Sequence, residues 1–187
     1  PADTEWLGNV GQIDIICTEN REKGEAFCVE KIAAGRVPGW FRSVDGDGNY
    51  EGLEPDMLDY VRERHPAWYI IAEADMAHHK WLKAPLAEDV PLPQHCDTVI
   101  GVVNLQMLGS SITAERVEGA EQAALIMNRP MDAVVTPALL AKLLSHPRGL
   151  FRGASACRVL FCSGYNAVQH RMTEALLDEL EGLDLQV

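Results

Sequence analysis

Apolar residues in this chain fall into two patterns that alternate along its length: short unbroken runs, and recurrences at steps of three and four. The runs at 69–72, 99–103 and 158–162 show no apolar/polar alternation, as expected of strands buried on both faces. Between and after them come helical stripes. Pro55 stands at a first helical position and is followed by Met57, Leu58 and Val61, predicting a short helix that ends near His65 and Pro66. Val117, Ala120, Ala124 and Met127 predict an amphipathic helix capped by Thr113, with Glu115 in its first turn. A further helix opens at Thr136 and Pro137, carries Leu139, Leu140, Leu143 and Leu144, and stops before Pro147. The last stripe is Val168, Met172, Ala175, Leu176 and Leu180, with Asn166 as cap and Gly182 as terminator. Strands alternating with helices predict an α/β fold, a mainly parallel sheet covered by helices on both faces.

The first half is less periodic. A strand-like run occupies 26–32, and the glycine- and proline-punctuated segment 35–52 predicts a hairpin or ordered loop. The first two dozen residues carry little pattern, and the chain opens at Pro1 rather than Met, so upstream sequence is expected to be missing. At 187 residues and 47% hydrophobic composition, a core can be buried without disulfides or a structural metal. A single α/β domain over 1–187 is expected, with 1–50 as a partial or irregular N-terminal portion.

Charge narrows the partners. With 28 acidic against 16 basic residues, the formal charge of −12 repels nucleic acid and anionic lipid surfaces at long range. A small nucleotide remains compatible, because magnesium would bring its own charge. No apolar run approaches the ~20 residues of a membrane span and no secretory pattern opens the chain, so a cytoplasmic location is expected. Five scattered cysteines without a Cys-x-x-Cys pair read as reduced thiols, with Cys157 and Cys162 bracketing a strand as packing residues. Neither zinc nor haem is expected.

Candidate chemistry starts where the 69–72 run meets Glu73 and Asp75. In an open parallel sheet, ligands gather outside the carboxyl ends of strands, and two acids there can hold magnesium or its waters. An acidic turn that caps a helix or meets solvent is the plain alternative. Lys80 and Lys83 follow closely, and Lys83 can neutralise a phosphate where Pro85 stiffens the loop. Arg148 and Arg152 present positive charge in the 146–153 group after a helix, which also reads as a helix stop with an anchored loop. Adjacent His78 and His79 lack metal-ligand spacing. Asp45, Asp47 and Asn49 resemble the start of a calcium loop, but Tyr50 and Asp56 break it, and a hairpin turn is the better reading. No phosphate loop and no serine-hydrolase elbow is present in the chain.

Taken in order, several of these pieces resemble the YqeC-type accessory proteins of selenium-dependent molybdenum hydroxylases. The residues are Gly52 and Leu53; Glu73, Ala74 and Asp75; Leu82, Lys83, Ala84 and Pro85; 99–103 with Leu105, Leu108 and Gly109; Thr136 and Pro137; and 146–153. The resemblance implies a P-loop NTPase-like three-layer fold, with Asp75 and Glu73 on the magnesium side as metal and catalytic residues. It implies Mg-ATP or Mg-GTP as ligand, Lys83, Lys80 and Arg152 near phosphate, and a molybdenum hydroxylase or its maturation proteins as partners. Three departures stand out: the family's phosphate loop would lie upstream of Pro1, Met76 replaces a glycine, and 162–166 lacks the guanine-reading sequence. A non-enzymatic scaffold of the same family is the alternative.

Overall fold

The computed structural model describes residues 13–74, 76–86, 89 and 92–187, and its elements divide between two units, Pro1–Ala74 with Pro93–His95, and Asp75–Leu92 with Cys96–Val187. In the first, β1 (Ile13–Cys17) and β2 (Val37–Phe41) pair in parallel, joined by α1 (Arg21–Ala33). The expected strand at 26–32 is therefore helix. Asn20 accepts from the Lys23 amide at 2.9 Å and Glu22 lies in the favourable first turn, so the helix starts well before that run. Its buried positions are Gly24, Glu25 and Cys28, a helical face built of small and polar residues that an apolar pattern cannot report. Gly24 is needed for space: a Cβ there would overlap the Trp40 indole, whose Nε1 donates to the Thr18 carbonyl at 2.9 Å.

The 35–52 segment forms β2 and then an antiparallel hairpin, β3 (Ser43–Val44) with β4 (Tyr50–Glu51). Asp45 closes it: Oδ1 accepts from the Asp47 and Asn49 amides and Oδ2 from the Asn49 side chain. Those contacts make a turn, as expected, and lower the carboxyl's affinity for protons. The helix α2 (Pro55–Arg64) has the predicted limits and buries Met57 and Val61. Asp59 on it accepts from the Gln94 and His95 amides, which attaches that outlying segment to this unit. The expected strand at 69–72 does not form. Tyr69 and Ile71 are fully exposed (101% and 99%), and the described ladders pair other segments: β1 with β2, β3 with β4, 82–83 with 117–118, and 98–104 with 157–163. An apolar run makes a segment fit for a sheet but supplies no partner strand.

The second unit is built on β6 (Thr98–Asn104) and β8 (Cys157–Ser163), parallel and in register from Thr98↔Cys157 to Asn104↔Ser163. Both match their expected runs. The C-terminal Gln186 continues the ladder beyond β8, donating to the Arg158 carbonyl at 2.9 Å and accepting from Leu160 at 2.7 Å. One face of the pair, with Gly101, Val103 and Leu160, is buried, together with Leu140 and Leu143 of α4 (Pro137–Ser145) and Leu176 of α5 (His170–Leu180). The other face leaves Ile100, Val102 and Phe161 exposed (64%, 55% and 59%), so among the described residues helices cover one face rather than two.

Thr136 caps α4 as predicted, accepting from Leu139, and Pro137 begins it. Asn166 caps a short 3-10 turn that leads into α5, which leaves Val168 outside the helix and exposed. The helix predicted from Thr113 is shorter. α3 spans Ala120–Met127; Val117 belongs instead to a strand, and the Thr113 hydroxyl is buried without a hydrogen-bond partner. Three of the four described pairings are parallel, so the chain is α/β with parallel strands flanked by helices. Among the described residues no helix is long and apolar enough to cross a membrane.

Candidate functional site

A buried lysine marks the second unit. β5 (Leu82–Lys83) pairs in parallel with β7 (Val117–Glu118), Leu82 opposite Val117 and Lys83 opposite Glu118. Leu82, Ala84 and Val117 are held in the core, the Ala84 amide donates to the Glu118 carbonyl at 2.9 Å, and Asn104 at the end of β6 donates to Trp81 at 3.1 Å. The backbone of Lys83 is thus fixed from both sides. Its side chain is 9% exposed, a depth at which an ammonium group stays charged only with a partner. One such partner is Asp89, whose Oδ1 lies 3.3 Å from Nζ. Asp89 is itself braced: Oδ2 accepts from the Leu86 amide at 2.6 Å, and its own amide donates to the Leu86 carbonyl at 3.2 Å.

Arg152 reaches the same place from the other end of the sequence. After α4, Phe151 is buried and its ring fills the space above Gly101 of β6, where a Cβ would come within 2.7 Å of it. That anchor carries Arg152, whose Nη1 donates to the Leu86 carbonyl and whose Nη2 donates to the Asp89 carbonyl at 3.0 Å. Lys83 and Arg152 therefore converge on Leu86 and Asp89, two planar donors from one and a point charge from the other.

Beside them, Lys80 pairs with Glu118, and His78 Nδ1 lies 3.8 Å from the same carboxylate. The Lys80 hydrogen bond, ahead of any charge effect, holds Glu118 below the usual carboxylate range. His78 and His79 sit at φ of 47° and 63°, with the Lys80 amide donating to the Ala77 carbonyl at 2.9 Å. This is a turn with both central residues left-handed, a conformation in which histidine is tolerated better than most side chains but remains strained.

Of the residues expected from sequence, Lys83 and Arg152 are brought together, and Lys80 lies one pairing away on Glu118. Glu73 is exposed, in the first unit and outside any described strand, and so does not stand at a strand's carboxyl end. Asp75 lies outside the described residues. Asp89 and Glu118, the acids that hold the two lysines, escape a reading of the sequence. Their one local signal is the turn chemistry of an aspartate three residues after Leu86, which states no partner for Lys83. Among the described residues no group of three or more histidines, cysteines, aspartates or glutamates is placed to hold a metal ion.

No solved structure matches this chain. It is 28% identical over 142 residues to the "Uncharacterized protein YqeC" of Escherichia coli (strain K12), covering 74% of this chain. The chain spans 56% of that relative's length. The sequence model of the family described as YqeC protein matches residues 7–121, more than half of the chain. With the 80–85 segment and the β6 strand both inside that match, the chain belongs to the YqeC family.

Proposed function

We propose that this chain binds the phosphate groups of a nucleotide as part of an accessory protein for maturation of a selenium-dependent molybdenum hydroxylase. The observation that carries the nucleotide half is the convergence of buried Lys83 with Arg152 on one loop beyond β5. A lysine supplies point charge and an arginine a bidentate fork, the usual division of labour around phosphate oxygens. The client enzyme comes from the family resemblance.

Magnesium would neutralise charge on the phosphates and fix their orientation. Asp75 would hold it through waters, with phosphate oxygens completing the shell, while Glu73 is exposed and outside any strand in the first unit, so no step is routed through the ion. Lys83 and Arg152 do their part without it: they bind and orient oxyanions.

Titration calorimetry with Mg-ATP and Mg-GTP tests the reading. Binding should be measurable, and Arg152→Ala should weaken it about tenfold, in keeping with one lost charge-assisted pair. Absence of binding by either nucleotide at millimolar concentration rejects it. A scaffold without nucleotide chemistry is the second reading, favoured by the exposed apolar face of Ile100, Val102 and Phe161. Asp75→Asn separates the two: maturation of the client hydroxylase is lost under the first and kept under the second.

A further inference from the structure

Lys83 and Arg152 face a set of acceptors already in place. Asp89 Oδ1 meets Lys83 at 3.3 Å, while Arg152 is engaged by the Leu86 and Asp89 carbonyls, the latter at 3.0 Å. One carboxylate and two carbonyl oxygens on two cations is the contact set that two linked phosphates would make. The Asp89 side chain is mostly buried (18% exposed), so the pair with Lys83 is shielded from water and cannot be dismissed as a solvated surface contact. The neighbouring cation, Lys80, is paired with Glu118.

Resting on the phosphate-binding reading above, we infer that Asp89 is an autoinhibitory residue: its carboxylate occupies the anion site, and a phosphate ligand must displace it to reach Lys83. A ligand that binds only the displaced form pays for that form's rarity in apparent affinity, by the factor by which it is under-populated. The device selects for oxyanions carrying two or more charges, since a singly charged one replaces Asp89 without gain. A diphosphate or triphosphate chain is favoured over a monoester or carboxylate.

The test uses the full chain and inorganic pyrophosphate as probe. Asp89→Asn keeps the shape and the Leu86 contact but removes the competing charge, and its affinity for pyrophosphate should rise by about tenfold, as for a binding-competent form populated to roughly a tenth. A folded Asp89→Asn with unchanged or weaker affinity overturns the inference and leaves the nucleotide reading standing. Because Asp89→Asn removes a buried counter-charge of Lys83 and can lower stability, a second measurement uses the unaltered protein. Asp89 Oδ2 holds the Leu86 amide at 2.6 Å, so saturation with pyrophosphate should release that N–H and speed its hydrogen exchange. Slower or unchanged exchange at Leu86 under saturation overturns the inference. If neither pyrophosphate nor a magnesium nucleotide binds the protein or the variant, the phosphate-binding reading itself falls, and the autoinhibitory role with it.

Discussion

Glu25 is a buried acid in the first unit with three side-chain partners. Its Oε1 accepts from Arg64 Nε and lies against His65 Nε2, both at 2.7 Å, and Oε2 accepts from the Tyr60 hydroxyl at 2.8 Å. The His65 ring is stacked on Trp68 at 3.8 Å, which fixes one member of the cluster. The Arg64 hydrogen bond, then that of Tyr60, holds the Glu25 carboxyl at about 2, against 4.5 for an unperturbed glutamate. The unfolded chain therefore takes up this proton before the folded one does. The stabilisation is complete above about pH 4.5 and is lost as pH falls toward 2. Glu25→Gln should cost about 2 kcal/mol at neutral pH, and urea unfolding of the variant should lose part of the wild type's acid sensitivity in that window. At His79, the strain is local and removable: His79→Gly should raise stability by about 1 kcal/mol in thermal unfolding, since glycine reaches a φ of 63° freely.

Among the elements, α3 shows how tertiary contact overrides a periodic pattern. The apolar spacing of Val117, Ala120, Ala124 and Met127 suits one continuous helix, yet the first of these pairs with β5 and only the rest are helical. Gly119 makes the break. At φ 69° it turns the chain from strand into helix, and a Cβ there would also overlap the Ala84 carbonyl oxygen of the adjoining strand. Gly119→Ala should therefore destabilise the protein by about 2–4 kcal/mol, measured by denaturant unfolding, from steric overlap and unfavourable φ together. Where local signals and packing agree, as in α2, α4, β6 and β8, the elements were legible in advance. Proline at a first turn and a side chain that accepts an early amide act within a few residues, so they need no distant partner.

At the scale of the whole molecule, β6 and β8 keep one apolar face open among the described residues. Ile100, Val102 and Phe161 lie in neighbouring positions of one parallel pair, Val102 directly opposite Phe161, while the face behind them is core. Such a grouping makes a sheet prone to association. Phe161→Ser should leave the unfolding free energy within about 0.5 kcal/mol of the wild type while reducing the binding of a hydrophobic dye, because the side chain contributes little to the folded interior. Gly101→Val on the buried face should behave oppositely, costing about 1–3 kcal/mol by forcing Phe151 and Leu150 aside.

The sequence by itself determined the α/β class, the two long strands and the helices α2 and α4, named Lys83 and Arg152 as candidate cations, and carried the resemblance that points to YqeC. Those follow from composition, local capping and unbroken apolar runs, which act over a handful of residues. Only the tertiary structure decided that 26–32 is helical, that 69–72 joins no described strand, and that Lys83 and Arg152 meet at Asp89, 63 residues before the arginine. Pairing is a property of two segments at once. A strand needs a neighbour with free hydrogen-bonding groups, and a buried charge needs a counter-charge in space, so neither can be read from one stretch of chain alone.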